Sequence, residues 1–420
     1  MRPFRFAIHL REFGWEPTVL TIGALGATLT EKEQALLRGI RILTVDPPFD
    51  RTTRSESHLG GASSRSTRHN PGSGLLGALD RQLPIDSWYV LFAARFSRIV
   101  RMAAEADPDV IWATGDPWSG LVVGRRLSNR LGVPYVADFR DPWTLSEVRM
   151  EGRWRLVRWF DRRSERRIIA SADLVMFQAE RVEAAYRQAY AALDPATVTI
   201  RNSFDPDVFD DPIEIEVVMH RAEPGELHVG FFGRFRAMSP ATLVIDVLAD
   251  MHRRHVDCAG RVFVHSFGSL RRVDAEHARA CGVESQFVSH RPVPLQESLA
   301  VLRAFDVLLL STDARRDRII PAKLFEYLPA GRPILSLSRN PEVADILLRT
   351  GTGIQLEKTA AVADLLAASV RALDRGEPLS IPFDPKPDEI SRHDARAATG
   401  RLAHALDELV GHGSAVPSNE

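Results

Sequence analysis

The sequence has 420 residues, more than one ordinary domain uses, and this length predicts two domains of about 200 residues each. Hydrophobic residues make up 45% and charged residues 26%, which is typical of a globular chain and excludes a disordered one. The net charge of -1 gives no overall attraction to nucleic acid or to an anionic membrane. The two cysteines, Cys258 and Cys281, lack metal-type spacing, which excludes a zinc site or a disulfide scaffold and fits a reducing compartment.

The N-terminal segment, MRPFRFAIHLREFGWE, is interrupted by charged residues and lacks the apolar core of a signal peptide. No stretch of the sequence approaches the roughly 20 apolar residues that span a bilayer. We therefore expect a cytoplasmic protein. Arginine is the usual cation of this chain, because only four of its 54 basic residues are lysine: Lys32, Lys323, Lys358 and Lys386.

In the first half of the chain, short apolar runs with the composition of buried strands alternate with helical stretches. This alternation indicates βαβ units on a parallel sheet. A Ser-, Gly- and Arg-rich stretch over 51–83 lacks periodicity and predicts a long surface loop. The predicted strands are 16–23, 41–45, 109–114, 134–139, 173–178 and 197–202.

The second half repeats the same alternation more clearly. Ser239 is suited to the N-cap of its first helix and Pro240 to the first helical position. The predicted strands are 227–235, 261–268, 286–293, 306–312, 332–338 and 353–357, and the predicted helices are 239–255, 270–282, 294–305, 323–331, 341–351 and 359–376.

A Pro- and Asp-rich stretch over 202–212 predicts the linker between two domains. We expect an N-terminal domain over 1–205 and a C-terminal domain over 206–390, followed by a last helix (391–411) and a disordered tail (412–420). The fold class is α/β, with two doubly wound parallel-sheet domains facing across a cleft. Ligands of such sheets bind beyond the carboxyl ends of the strands, so the cleft is the expected site.

The segment 227–241 has the makings of a diphosphate site. A strand runs into Gly233, which lets the backbone approach a ligand, and a helix start follows. Arg234 and Arg236 can add bidentate phosphate contacts. The alternative is an ordinary strand-to-helix turn with solvated arginines.

In PAKLFEYLPAGRPIL (321–335), Lys323 and Glu326 lie three residues apart and share one face of a short helix. A carboxylate there can accept hydrogen bonds from both hydroxyls of a ribose, and an ammonium can neutralise a phosphate. A lysine in an arginine-dominated chain favours a compact point charge at 323. A solvated ion pair is the alternative.

In ADFRDPW (137–143), Asp138, Arg140 and Asp141 cluster at the carboxyl end of a buried strand. We select these three as candidate catalytic residues. The alternative is an Asp–Arg–Asp ion network that braces a loop, with Trp143 packed beneath it.

FFGRFRAMSPATLVIDVL followed by IIPAKLFEYLPAGRPIL resembles the donor-binding half of GT-B glycosyltransferases of the large family 4 group. ADFRDPW resembles the acceptor-side half of a bacterial branch of that group, and NSFDPDVF (202–209) resembles its interdomain segment. Together these segments cover nearly the whole chain in the right order. The resemblance implies the GT-B architecture of two Rossmann-like domains, and a sugar-nucleotide-dependent transferase.

On the donor side, the resemblance implies that Glu326 binds the ribose hydroxyls and that Arg234 and Lys323 contact the diphosphate. Arg236 stands where the family often has a lysine, and Gly233 and Leu324 complete the expected donor contacts. His290 and Arg291 would border the nucleobase.

On the acceptor side, Arg140 or Asp141 would occupy the place where many members have a histidine. The family often has a second glutamate eight residues before the one at Glu326, but this chain has Arg318 there, so the donor sugar is not predicted. The family's first strand normally precedes a segment like 2–21. Met1 lands inside the following helix, and we hypothesise that the coding sequence starts further upstream.

The segment RWRLVRWFDRRSERR (153–167) admits two interpretations. One is a membrane-surface helix that meets a lipid-linked acceptor. The favoured one is a domain helix with Leu156, Trp159 and Phe160 partly buried, in which Asp161 and Glu165 dilute the positive face.

We therefore expect transfer of a sugar from a nucleoside diphosphate sugar, with UDP or GDP, to a hydroxyl acceptor. The family implies retention of the anomeric configuration and a role in polysaccharide or glycolipid synthesis. No cofactor or metal is expected, since basic residues and a helix end can neutralise the departing diphosphate. We expect no nucleic-acid partner. A sugar-nucleotide epimerase of the same architecture and a non-catalytic homologue remain alternatives, and so does a peripheral contact with the inner membrane surface.

Overall fold

The computed structural model describes residues 2–22, 31–45, 82–209, 225–293 and 298–413. The described residues divide into two compact units. The N-terminal unit comprises residues 2–22, 31–45, 82–202 and 395–413, and the C-terminal unit comprises 203–209, 225–293 and 298–394. The predicted loop at 51–83 lies outside the described residues except for its last two, and so do the linker residues 210–212 and the tail from 414.

The N-terminal unit contains two parallel sheets within the described residues. Strands β1 and β2 form one, and the other has the order β3-β4-β5-β6. The fully buried β4 lies between β3 and β5, which suits its sequence YVADF, apolar except for Asp138. The strands are β1 (Thr18–Ile22), β2 (Arg41–Val45), β3 (Ile111–Gly115), β4 (Tyr135–Phe139), β5 (Leu174–Phe177) and β6 (Thr197–Thr199).

The first and last helices of the N-terminal unit pack together on the second sheet. Phe6 lies in one apolar cluster with Val136 of β4 and with Leu402 and Leu406 of the last helix. The chain therefore returns to its first unit after completing the second. The helices are α1 (Arg2–His9), α2 (Glu31–Leu36), α3 (Trp88–Ala104), α4 (Ser119–Leu131), α5 (Glu147–Met150), α6 (Arg155–Ile169), α7 (Glu180–Ala189) and, at the end of the chain, α16 (Ala395–Gly413).

The C-terminal unit contains one six-stranded parallel sheet with the order β12-β11-β10-β7-β8-β9. Its central strand β7 is entirely buried. The strands are β7 (Leu227–Phe231), β8 (Val262–Phe267), β9 (Phe287–His290), β10 (Val307–Leu310), β11 (Ile334–Ser336) and β12 (Gly353–Gln355).

Helices cover this sheet, and its largest core lies on the face where α9 and α14 pack. Leu227 and Val229 of β7 and Val262 and Val264 of β8 meet Leu248 of α9 in that core. The helices are α8 (Pro206–Phe209), α9 (Thr242–Arg254), α10 (Arg272–Ala280), α11 (Ser298–Arg303), α12 (Ala322–Tyr327), α13 (Pro341–Thr350), α14 (Thr359–Asp374) and α15 (Pro387–Ser391).

Each predicted strand is present and most are shorter than predicted; β2 has the predicted bounds, and β3 ends one residue later than predicted. The α/β fold class with doubly wound parallel sheets is confirmed. The predicted cap at Ser239 is wrong. Helix α9 begins at Thr242 after Ala241, because Ser239 and Arg236 exchange backbone hydrogen bonds of 2.9 and 3.0 Å across a tight turn. None of the described helices is long and apolar enough to cross a bilayer.

The favoured interpretation of helix α6 is also wrong in its orientation. Leu156, Trp159 and Phe160 are exposed, whereas Asp161 and Glu165 are fully buried. The two carboxylates therefore do not dilute the charge of the outward face, because they do not reach it.

Candidate functional site

The strand order of the C-terminal unit places a topological switch point between β7 and β10. From β7, the chain first runs outward through β8 and β9 and then returns to the other side of β7 with β10. Crevices beyond the carboxyl ends of two such strands are the usual ligand sites of doubly wound sheets. The segment after β7 contains Gly233, and the segment after β10 leads into α12 with Lys323.

Gly233 and Lys323 meet at this switch point. Gly233 has a φ of 111°, a backbone conformation that residues other than glycine rarely adopt. A Cβ atom on Gly233 would lie 3.3 Å from Nζ of Lys323. The same Nζ lies 3.7 Å from the centre of the Phe231 ring, an arrangement that favours a cation. The lysine and the glycine turn predicted from separate motifs are thus adjacent.

Apart from the Phe231 ring, the surroundings of the Lys323 ammonium on balance disfavour its charge. Burial and, to a smaller extent, the nearby charge of Arg236 lower the pKa of Lys323 to about 7, although the carboxylate of Glu326 opposes the shift. Within the described part of the chain, no hydrogen bond to this ammonium is found. A phosphate beside it would supply the missing negative charge and would favour the protonated form.

The two arginines of the turn are exposed and flank the same point. The aliphatic part of Arg234 packs against Gly268, which has a φ of 131° and follows β8; a Cβ atom there would lie 3.1 Å from the Arg234 side chain. Arg236 is close enough to Lys323 to affect its pKa. Lys323 and Arg236 therefore lie near each other beyond the end of β7, and Arg234 belongs to the same turn.

Helix α12 is fixed to the sheet by Tyr327, which the sequence analysis did not select. The fully buried Tyr327 hydroxyl accepts a hydrogen bond from the backbone N–H of Phe232 (2.9 Å) and donates one to the carbonyl of Leu309 (3.3 Å). Leu324 is also fully buried, so its side chain packs inside the unit. Glu326 is partly buried on the face it shares with Lys323.

Arg318, the residue that departs from the family pattern, is exposed in the segment between β10 and α12. The neighbouring Asp317 is partly buried. Asp313 shapes the start of this segment, since its carboxylate accepts a hydrogen bond from the backbone N–H of Arg315 at 2.9 Å.

His290 ends a row of three hydrogen-bonded histidines on the sheet face opposite the main core. Nδ1 of His228 lies 2.9 Å from Nε2 of His265, and Nδ1 of His265 lies 2.8 Å from Nε2 of His290. The row runs diagonally from the start of β7, through β8, to the carboxyl end of β9. Burial and the two neighbouring imidazoles lower the pKa of His265 to about 3, and burial also lowers the pKa of His290.

His290 is thus a neutral imidazole at the ligand edge of the sheet, and the exposed Arg291 follows it. The sequence contains a signal for this row, because β7, β8 and β9 each carry a single histidine among apolar residues. Only the strand order brings the three together.

In the N-terminal unit, Asp138 is taken up by internal partners. Its fully buried carboxylate accepts hydrogen bonds from Arg2 (3.1 and 3.3 Å) and from the hydroxyl of Thr114 (2.8 Å). Arg2 also donates to the carbonyl of Arg201 at 3.1 Å. Asp138 therefore ties β4 to β3 and to α1, and its charged partner is Arg2 of α1 rather than Arg140 of the predicted Asp–Arg–Asp network.

Arg140 and Asp141 are partly exposed on the segment after β4. Arg140 donates a hydrogen bond to the carbonyl of Asp116 at 2.9 Å. Trp143 is fully buried and stacks on Trp118 at 5.2 Å between ring centroids. This segment and the one after β3 are therefore fixed to each other, with Arg140 and Asp141 at their surface.

The buried Glu165 of α6 holds the same segment from below and was not selected from the sequence. Its carboxylate accepts hydrogen bonds from the backbone N–H and hydroxyl of Thr144 and from the hydroxyls of Tyr186 and Tyr190, both at 2.6 Å. Burial raises the pKa of Glu165, although these hydrogen bonds oppose the shift. No local pattern reveals this role, since Thr144 and Glu165 lie 21 residues apart.

The comparisons with known proteins agree with this architecture. Residues 5–202 match the family model described as "Glycosyl transferase 4-like domain". No curated protein sequence matches the chain.

Three solved structures are similar to this chain in fold. HepE from Anabaena, solved with UDP and glucose, has a TM-score of 0.61 at 16% identity over 97% of this chain and 96% of its own. Sucrose-phosphate synthase from Thermosynechococcus elongatus has a TM-score of 0.56 at 14% identity over 79% and 81%. A putative UDP-N-acetylglucosamine 2-epimerase from Listeria monocytogenes has 0.53 at 13% identity over 100% and 96%.

Proposed function

We propose that this chain, a GT-B glycosyltransferase with a glycosyl transferase 4-like domain, transfers a sugar from a nucleoside diphosphate sugar to a hydroxyl acceptor. The observation that carries the proposal is that Lys323 lies against Gly233 and near Arg236 at the switch point of the C-terminal sheet, in a turn that also carries Arg234. This arrangement suits a doubly negative group close to the backbone.

The cations would act mainly on the leaving group. As the bond from the sugar to the diphosphate breaks, negative charge builds up on the diphosphate oxygens, and a positioned ammonium stabilises that charge. Lys323 stands on α12, which Tyr327 fixes to the sheet, so its backbone needs little rearrangement. Arg234 and Arg236 would complete the neutralisation, so we propose that turnover does not depend on a metal ion.

The Glu326 carboxylate would accept hydrogen bonds from the two ribose hydroxyls, since Glu326 shares a face of α12 with Lys323. His290 and Arg291 would lie near the base, and Leu324 would contribute its backbone. We propose UDP before GDP as the nucleotide, because the similar HepE was solved with UDP. The transferred sugar is not specified by this proposal, because Arg318 stands where the family often has the glutamate eight residues before the one at Glu326.

On the acceptor side, Arg140 and Asp141 are the proposed contacts of the reacting hydroxyl, and Asp138 supports them from within the sheet. We propose retention of the anomeric configuration, a lipid-linked acceptor, and a role in polysaccharide or glycolipid synthesis at the cytoplasmic face of the membrane. Support for these finer points is the family resemblance of ADFRDPW and of the donor motifs.

Calorimetry with UDP tests the donor site directly. We expect Lys323→Ala to weaken UDP binding about 10- to 100-fold, because a charge-assisted contact to the diphosphate is lost. Lys358→Ala is the matched control, since Lys358 is an exposed lysine of the same unit at the start of α14. Equal UDP affinities for both variants and the parent would contradict the proposed site.

A turnover screen then separates the alternatives. If the chain were an epimerase, the activity for which the similar Listeria protein is named, incubation with UDP-sugars or GDP-sugars alone would yield an epimerised donor. A transferase releases the nucleoside diphosphate in an acceptor-dependent manner, also in the presence of a chelator. A non-catalytic homologue would bind nucleotide sugars weakly or not at all, and Glu326→Ala would change nothing.

A further inference from the structure

Among the described residues of the N-terminal unit, the outward face of helix α6 carries the largest group of exposed apolar side chains on a helix. Trp154, at the N-cap, is 62% exposed, and Leu156 and Trp159 are 66% and 53% exposed. Phe160 is 42% exposed and meets Trp159 edge-on at 4.9 Å between ring centroids. Four large apolar side chains thus face water within two turns.

The inward face of the same helix accounts for both of its carboxylates. Asp161 is paired with Arg153 at 3.0 Å and accepts a hydrogen bond from the backbone N–H of Ile85 at 2.7 Å. Glu165 is enclosed by Thr144, Tyr186 and Tyr190. The polarity of α6 is therefore unusual, with its acids inside and its tryptophan outside.

With both acids turned inward, the charged residues of the outward face are all arginines. Arg163 also lies over the Trp159 ring, at 5.6 Å from its centre. The exposed arginines of α6 are Arg155, Arg162, Arg163, Arg166 and Arg167.

This composition identifies one kind of partner. Exposed apolar patches mark interaction surfaces. Tryptophan and arginine side chains beside aliphatic ones are characteristic of helices that lie in the plane of a membrane interface. The five arginines are complementary to the negative headgroups of an anionic leaflet, each contributing to attraction at close range.

We propose that the outward face of α6, from Trp154 to Arg167, docks the chain on an anionic lipid surface. Trp154, Leu156, Trp159 and Phe160 enter the headgroup region, and the arginines contact lipid phosphates. This inference rests on the proposed function only in that a lipid-linked acceptor gives the docking its purpose. It also explains why the net charge of the whole chain is uninformative, since the attraction comes from one helix.

Cosedimentation with vesicles tests the docking. We expect the full chain to bind vesicles of phosphatidylcholine and phosphatidylglycerol and to bind pure phosphatidylcholine vesicles far less, with a loss of binding at high salt. Replacing Arg162, Arg163, Arg166 and Arg167 by Gln should weaken binding to the anionic vesicles at least about 100-fold. Trp159→Ser combined with Phe160→Ser should also weaken it, because the inserted aromatic area is lost.

Matched controls are available in the chain. Leu348→Ser removes an apolar side chain that is 75% exposed in the C-terminal unit, and Arg130→Gln removes an exposed arginine of α4; neither should change vesicle binding. All these side chains are exposed, so circular dichroism should report unchanged folding.

Three results would overturn the inference: equal binding to neutral and anionic vesicles, undiminished binding of the α6 variants, or a dimer that the α6 variants dissociate while vesicles are not bound. The last result would assign this face to a second copy of the chain. Failure of the donor site is a separate outcome, because Lys323→Ala should lose UDP binding and keep vesicle binding.

Discussion

Asp138 in the N-terminal unit and Lys323 in the C-terminal unit both lie toward the carboxyl ends of buried parallel strands, and both stand in motifs that suggest chemistry. Their surroundings differ. The carboxylate of Asp138 is enclosed by Arg2 and Thr114 of its own unit. The ammonium of Lys323 is desolvated beside another cation, with only Glu326 opposing.

This difference separates a structural charge from a binding charge. A buried charge with its own partners stabilises the fold, and removing it leaves the partner uncompensated. A buried charge that its unit does not neutralise lowers stability, and a ligand of opposite sign restores the balance. The two residues should therefore respond to neutralisation with opposite signs.

The largest expected effect is that of Asp138→Asn. The substitution keeps the size of the side chain and leaves the buried guanidinium of Arg2 without its counter-charge, so the N-terminal unit should lose about 3–5 kcal/mol of its free energy of unfolding. Urea unfolding followed by tryptophan fluorescence measures this, because all seven tryptophans precede residue 203 and belong to the N-terminal unit.

The matched control is Arg2→Met, alone and combined with Asp138→Asn. If the two residues form one structural pair, the double variant should lose much less than the sum of the single variants. A stable Asp138→Asn variant that binds UDP normally but has no turnover would instead assign Asp138 to catalysis.

The second effect is a difference in the response of the two units to acid. Burial lowers the pKa of His265 to about 3, so between its ordinary value of 6.5 and about 3 the unfolded chain binds the proton and the folded unit does not. The C-terminal unit therefore becomes less stable as the pH is lowered in this range, by about 2 kcal/mol between pH 6.5 and about pH 4.5. His265→Gln should flatten this dependence.

The N-terminal unit should respond with the opposite sign. Burial raises the pKa of Asp86, Asp161 and Glu165, so as the pH falls these carboxylates take up protons in the folded unit before they do so in the unfolded chain. Its contribution to stability grows as the pH falls through these raised values. Tryptophan fluorescence should report the unfolding of the N-terminal unit alone. The remaining change in far-ultraviolet circular dichroism should report the unfolding of the C-terminal unit. A single coincident transition with one pH trend would contradict the comparison.

The sequence predicted well what depends on local pattern. Apolar runs such as RILTV predicted the positions of the strands. The spacing of Lys323 and Glu326 predicted that both lie on one face of α12. It predicted poorly what depends on distant partners. Arg2 and Asp138 are separated by 136 residues in the sequence, and no periodic pattern of residues predicts that they form an ion pair.

Orientation was the other weak point. A count of charges along 153–167 assigns Asp161 and Glu165 to a solvated face, whereas their hydrogen-bond partners on Ile85, Thr144 and Tyr186 draw them inward. Ser239 has the right chemistry for an N-cap, but the backbone pairing with Arg236 competes with it and moves the helix start to Thr242. Tertiary contacts decided both cases.

The third effect is a gain. Lys323→Met should stabilise the C-terminal unit near pH 7 by about 2 kcal/mol. In the parent, the lysine is protonated more readily in the unfolded chain than in the folded unit, and this difference lowers the free energy of unfolding; methionine removes it. The expected gain is smaller than the full pKa shift implies, because Lys323 is partly exposed. The urea transition followed by circular dichroism measures it, with Lys358→Met as the neutral control. A loss of stability would show that Lys323 has a structural role like that of Asp138.

The smallest effect is the pH dependence of UDP affinity, and it examines the binding charge most directly. With a pKa of about 7, the ammonium of Lys323 is mostly deprotonated at pH 8 in the free protein, whereas the diphosphate selects the protonated form. Binding then takes up a proton, and the affinity should fall up to tenfold per pH unit above about pH 7, which corresponds to about 1.4 kcal/mol per unit. Lys323→Arg keeps a permanent charge at this position and should remove the dependence, because a guanidinium does not titrate in this range. Calorimetry in two buffers of different ionisation enthalpy would show the proton uptake for the parent and not for Lys323→Arg. A flat affinity profile for the parent would mean that Lys323 stays charged without ligand, and the contrast with Asp138 would then rest on stability alone.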